Sequence, residues 1–298
     1  MDIGRVLPKA GQMRALSIGK KRSKQIGNIV AFIVLAWLGF GFSIPFIWMV
    51  GGSIKNIAGI YAYPPQLIPR TFEYLNFVEV FKRMPFNLFF RNSGYIAITV
   101  TIGVLATASM GGYAFARLRF PGRDKIFLLY LATMMVPGAV TMIPRFAMMH
   151  AFGWINTHIA LIVPALCGPW STFMMRQFMV TIPRELEDAA KIDGCGYFRT
   201  YFTILLPLCK PVLATLGMMT FMGQWNAFLW PLIVLTSMRK KTLALGLAAF
   251  QNFAQGKTPW HLIMAASTIS ILPILVIFVL GQKYYVRGIV TTGLKGVS

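Results

Sequence analysis

"GNIVAFIVLAWLGFGFSIPFIWMV", residues 27–50, contains no charged side chain. As an α-helix it is about 36 Å long, enough to cross a hydrocarbon core of about 30 Å. In lipid the backbone must satisfy its own N–H and C=O groups, and a helix does so within one segment. Five more windows lack Lys, Arg, Asp and Glu: 92–116, 126–144, 146–175, 211–238 and 258–282. We read six transmembrane helices, at about 27–50, 92–116, 126–149, 158–179, 211–235 and 261–282. The composition agrees. Of 298 residues, 56% are hydrophobic and 12% charged, about half the ~25% charged share of a soluble domain. The chain is expected to be an all-α membrane protein.

The net charge is +21, from 29 basic and eight acidic residues. A nucleic-acid binder would gather its basic residues on a soluble face. Here they flank the apolar segments, which is how they set topology. With the N-terminus inside, nineteen Lys and Arg fall on cytoplasmic segments and nine outside, with Arg145 left over. That ratio predicts N-in and C-in and no nucleic-acid partner. Residues 1–26 lack the apolar core of a signal peptide and read as a basic cytoplasmic tail, and 283–298 as a cytoplasmic C-terminal tail. The domain between them, 27–282, holds the six spans. Arg145 follows Lys125 by about 30 Å of helix and reads as a snorkelling side chain near the outer interface.

No catalytic centre is legible. The chain has no P-loop, H-E-x-x-H or G-x-S-x-G pattern, and Cys167, Cys195 and Cys209 show no metal spacing. Pro45, Pro137, Pro144, Pro164, Pro169, Pro231 and Pro273 lie in the spans. Each frees a backbone carbonyl, consistent with irregular packing or with a pathway between kinked helices.

Half of the carboxylates lie in "ELEDAAKIDG", 185–194, within the largest cytoplasmic connection, about 180–210. Thr181 is placed to cap a helix there and Pro183 to sit in its first turn. Glu185, Glu187 and Asp188 fall at its positive end, and Gly194 stops it. Leu186, Ala189, Ala190 and Asp193 share one face by their spacing. "YFRTYFTILLP" after it reads as a second short helix stopped by Pro207. A solvated linker is one reading of this segment. A docking helix, with small residues for close approach and carboxylates for a partner's arginine, is the other.

"DAAKIDG", nine residues, then "ILLP" (Asp188–Gly194, Ile204–Pro207) resembles the EAA loop of ABC importer permeases. That pattern is E-A-A, three residues, G, nine residues, I-x-L-P. Asp188 stands where the family has Glu, and Glu187 precedes it, so either carboxylate fits the expected salt bridge. "YPPQLIPRTFEYLNF", "QWNAFLWPLIVL" (224–235) and "QKYYVRGIVTTGLKG" (282–296) resemble the maltose, multiple-sugar and glycerol-3-phosphate branch. The resemblance implies the MetI-like importer permease fold in a bacterial inner membrane. It implies a coupling helix carrying Glu187, Asp188, Ala189, Ala190, Asp193 and Gly194, docked in a cleft of an ATPase subunit. Two ATPases binding ATP and Mg, a second permease and an external sugar-binding protein are the implied partners, with no cofactor or metal on this chain.

Gln224, Trp225 and Asn226 are the candidate substrate-pathway residues, because an aromatic face stacks on a sugar ring and amides bond its hydroxyls. Bonds between helices are the alternative use. The expected function is ATP-driven uptake of a sugar, an oligosaccharide foremost. Glycerol phosphate, another polyol or an acidic saccharide is the alternative substrate. A secondary transporter or channel is the alternative class, opposed by the lack of a carboxylate in any span.

Overall fold

The computed structural model describes the backbone of residues 10–66, 69, 71–252 and 258–293, and the side chains of 25–66, 69, 71–250 and 258–282. Arg70, Lys257, residues 1–9 and 294–298 lie outside it, so the two tail assignments are reached only in part. Every described element is helical. We number the main helices α1 Ala10–Ser53, α2 Leu75–Arg83, α3 Phe86–Arg117, α4 Arg123–Ala132 and α5 Gly138–Ala151. There follow α6 Ile159–Val180, α7 Glu185–Ile192, α8 Tyr197–Leu208 and α9 Lys210–Trp225. The last are α10 Leu229–Val234, α11 Leu243–Asn252 and α12 Trp260–Gly293.

Among the described residues, four helices are long and apolar enough to cross a membrane: Gln25–Ser53, α3, α6 and Trp260–Gln282. Two further pairs qualify as bent spans. Arg123–Met135 meets α5 at 99°, and α8 meets α9 at 76°. The multi-pass, six-span reading is met with two changes of shape. The expected third span, 126–149, turns sharply at Val136–Pro137, where a continuing helix would press the Pro137 ring into the Thr133 carbonyl. The expected fifth span, 211–235, is not one helix. α9 stops at Trp225, and Asn226 and Phe228 leave helical geometry before α10. Pro231 is the cause, since its ring excludes a helical carbonyl at Ala227. Pro45 and Pro273, by contrast, sit inside unbroken helices.

α3 is the central element, supplying residues to all three apolar clusters. Phe86, Phe89 and Ala97 pack with Trp225, Phe250 and Leu262. Ile96, Val100 and Val104 pack with Met149 and Leu161. Ala108, Tyr113 and Ala116 pack with Met175, Met179 and Leu205. Ala108, Gly112 and Ala116 form a small-residue stripe against α6, where dispersion and close backbone approach replace the missing hydrophobic drive. A Cβ on Gly112 would stand 2.7 Å from the Met175 Cβ and 3.0 Å from the Arg176 N. No residue in the most apolar stretch of α1 is buried within this chain. That surface faces lipid or another subunit.

Candidate coupling and pathway sites

The connection from α6 to α9 gathers at one end of the bundle. α7 begins one turn later than the capping pattern suggested. Thr181 does not cap it. Thr181 terminates α6, and its hydroxyl donates to the Phe178 carbonyl at 2.8 Å. Arg184 occupies the N-cap without a side-chain bond. The helix stops as expected at Gly194, whose φ of +75° suits a residue without Cβ. Pro207 does not stop the second helix. It sits in the first turn of its last segment, and α8 runs to Leu208.

The two candidate carboxylates are sorted by burial. Glu187 faces the bundle and pairs with Arg117, Oε1 to Nε 2.9 Å, with 11% and 3% of the side chains exposed. Arg117 also donates through Nη2 to the Met179 and Ile182 carbonyls at the end of α6. Asp188 points outward, 66% exposed, and reaches only Lys191 at 3.2 Å. Asp188, not Glu187, is therefore available to a partner. Ala190 also departs from the expected face. It is buried beside Glu187, whereas Leu186, Ala189 and Asp193 are exposed.

α3 holds this connection along one stripe. Ser109 and Tyr201 share a hydrogen bond of 2.7 Å, Tyr113 donates to the Tyr197 carbonyl at 3.3 Å, and Arg117 grips Glu187. Residues 109, 113 and 117 are successive i, i+4 positions on one face. Ile192, 87% exposed at the end of α7, and Phe198, 79% exposed after the turn, are large exposed apolar side chains. Sequence reading missed both, because isolated apolar residues in a short helix look like core. It also missed the role of Arg117, although the first charge after an uncharged span, eight residues after Ser109, was a usable signal.

At the opposite end a cavity of about 370 Å3 opens between α5, α6, α9 and α10. Two helix breaks line it, at Cys167–Gly168 within α6 and at Ala227 after α9. Irregular backbone at membrane depth is tolerated where it is buried in protein or lines a cavity. The Thr107 hydroxyl meets one freed carbonyl, that of Leu166, at 2.5 Å. Asn92 bonds the Arg239 and Lys241 carbonyls, and Asn156 Oδ1 accepts from the Thr236 and Ser237 N–H groups. These contacts fix the loop above the cavity.

Of the three predicted pathway residues, Gln224 lies apart, while Trp225 and Asn226 both border a second cavity. Gln224 lines this cavity. Trp225 is 4% exposed, stacks on Phe221 with centroids 5.6 Å apart and donates to the Ser270 carbonyl at 3.1 Å. It is a core residue of this chain. Asn226 folds back on the Met222 carbonyl and borders this second cavity, of about 260 Å3, beside α12. Arg145, read as snorkelling, is exposed but lines the Gln224 cavity, with its guanidinium 5.0 Å from the centre of the Trp230 ring.

A bundle with broken spans around a largely apolar cavity that carries a few polar groups, and a tethered amphipathic helix at the other end, has the build of a membrane permease. The chain belongs to the family described as binding-protein-dependent transport system inner membrane component, whose model matches residues 15–291. It is 34% identical over 280 residues to an arabinooligosaccharides transport system permease protein, AraQ, of Halalkalibacterium halodurans, covering 93% of this chain and all of that one. It is 34% identical over 266 residues to the lactose transport system permease protein LacG of Rhizobium radiobacter, covering 89% and 96% of the two chains. The sn-glycerol-3-phosphate transport system permease protein UgpE of Pectobacterium atrosepticum is 31% identical over 251 residues, with 82% and 89% covered. A chain from the crystal structure of a bacterial ABC transporter for the acidic polysaccharide alginate has the same fold, with a TM-score of 0.81, 22% identity and 89% and 98% of the chains covered. The resemblance to sugar-importer permeases is thereby met.

Proposed function

We propose that this chain is one permease subunit of an ATP-driven ABC importer for a sugar, an oligosaccharide foremost, delivered by an external binding protein. The similarity to oligosaccharide, lactose and glycerol-phosphate permeases supports the substrate class. The observation that carries the mechanism is the two-sided α7. Its inner side is anchored by the Glu187–Arg117 pair, and its outer side offers Asp188, Ala189, Asp193 and Ile192. An ATPase seated on the outer side pushes on a helix tied to the ends of α3 and α6. Those two helices border the pathway, so the push becomes a change of packing around the cavity. ATP and Mg act on the partner, and this chain catalyses nothing itself.

In this reading the membrane is the bacterial inner membrane, both termini and α7 are cytoplasmic, and α1 or its neighbours meet a second, different permease. ATP binding shifts the bundle between two packings and must favour one by several kcal/mol to move the population nearly completely. The test is co-purification of the tagged chain from native membranes in mild detergent. An ATPase and a second permease should accompany it, and Asp188→Ala/Ile192→Ala should shed the ATPase. A chain that comes out alone and transports in liposomes without ATP would instead be a secondary transporter or channel.

A further inference from the structure

Among the described residues lining the Gln224 cavity, Arg145 carries the only charge, and no carboxylate faces it. Its guanidinium makes no ion pair or hydrogen bond among the described residues. Its recorded contact is the Trp230 ring, which is held from below by Nε1 donating to the Ala160 carbonyl at 3.0 Å. Thr242 lines the same cavity. It is 3% exposed, yet its Oγ1 has no hydrogen-bond partner in the protein. At the start of α11 that hydroxyl would ordinarily cap the helix. Here neither the Ala244 nor the Leu245 N–H donates to it, and the first N–H of the helix, that of Leu243, donates to Ser93 Oγ at 2.8 Å. Gln224 adds an amide that both donates and accepts.

The cavity that Arg145 lines reaches well into the bundle. Ile96 on its wall lies ten residues into α3 from Phe86, about 15 Å from that end of the bundle. Gln224 lies fourteen residues into α9 from Lys210, about 21 Å from the coupling end. A cation held on an aromatic face, lining one cavity with an unpartnered hydroxyl and an amide, is suited to a ligand with one oxyanion and several hydroxyls.

We propose that the cavity binds an anionic saccharide, with Arg145 taking its carboxylate or phosphate and Gln224 and Thr242 taking neighbouring hydroxyls. This rests on the importer reading and narrows its substrate class. The guanidinium draws the anion to the helix breaks, where backbone is free of intrahelical partners. Trp230 keeps the cation oriented without neutralising it.

The test is titration of the intact importer complex, purified from native membranes into nanodiscs, by tryptophan fluorescence. The probes are trigalacturonate for a carboxylate, glucose 6-phosphate for a phosphate and maltotriose as the neutral control. One charged probe should bind at least tenfold more tightly than maltotriose, and which one identifies the oxyanion. Arg145→Gln should remove that tenfold preference and leave maltotriose within twofold, Arg145→Lys should keep part of it, and Thr242→Val should weaken every probe that binds. Equal binding of neutral and charged probes, or an unchanged preference in Arg145→Gln, overturns the proposal and leaves the sugar importer standing. If no saccharide binds while the complex hydrolyses ATP, both the proposal and the sugar reading fall. Arg145 is exposed, and recovery of the assembled complex in normal yield verifies that its variants fold.

Discussion

Removing one partner of the Arg117–Glu187 pair should be the most damaging single change at the coupling end. With 3% and 11% of the two side chains exposed, neither charge has water to turn to. Breaking a buried pair on one side costs about 3–5 kcal/mol, because the charge left behind is uncompensated. Glu187→Leu leaves the Arg117 guanidinium with only two carbonyls. Arg117→Met strands the Glu187 carboxylate and also orphans the Ile182 carbonyl, worth about a further 1–3 kcal/mol, whereas the Met179 carbonyl keeps the Ile182 N–H. The double variant Arg117→Met/Glu187→Leu buries no charge, so it should cost less than the two single changes added together. Denaturation midpoints of the purified chain in detergent measure the three differences. A companion assay reads sugar taken up per ATP hydrolysed in the reconstituted importer. We expect the double variant to recover stability but not coupling, since the tie between α7 and α3 is gone. Strict additivity of the single effects, or loss of ATPase binding by Glu187→Leu as complete as that of Asp188→Ala, would refute the assignment of Glu187 to the inner side.

Three further outcomes follow from the geometry. Asp188→Arg should release the ATPase in pull-down while leaving the denaturation midpoint unchanged, because the side chain is exposed and its Lys191 contact is a surface pair worth about 0–1 kcal/mol. Gly194→Ala meets no atom within 4 Å, so its cost comes only from the left-handed backbone, about 1–2 kcal/mol, and Gly194→Asn should recover part of it in the same denaturation assay. Trp225→Ala should destabilise the chain by about 3–5 kcal/mol through the cavity it leaves, whereas Gln224→Ala should leave stability unchanged and lower the rate of sugar uptake, so the two adjacent residues separate fold from transport.

Much of the architecture was legible because lipid imposes one rule on every span: about twenty uncharged residues in a helix. That rule located all six segments, and the spacing from Asp188 to Pro207 located the coupling loop. Proline also signals where a helix is liable to break. Its position does not say whether the break is realised. Pro45 and Pro273 remain in unbroken helices, whereas Pro137 and Pro231 mark real breaks, because only the neighbours decide whether freed carbonyls find other donors.

The order of residues alone determined that this chain lives in a membrane, where its long uncharged windows lie, and where its scarce negative charge is gathered. Only the tertiary structure decided what adjacent residues do. Glu187 and Asp188 are chemically alike and one position apart, yet a helix turns successive side chains by about 100°, so one meets Arg117 and the other meets solvent. Gln224 parts from Trp225 and Asn226 in the same way where α9 ends. Arg145 reads as an interfacial cation until two breaks in distant helices open a cavity beside it. Periodicity is local and survives in the sequence, but the pairing of a charge depends on which helix packs opposite.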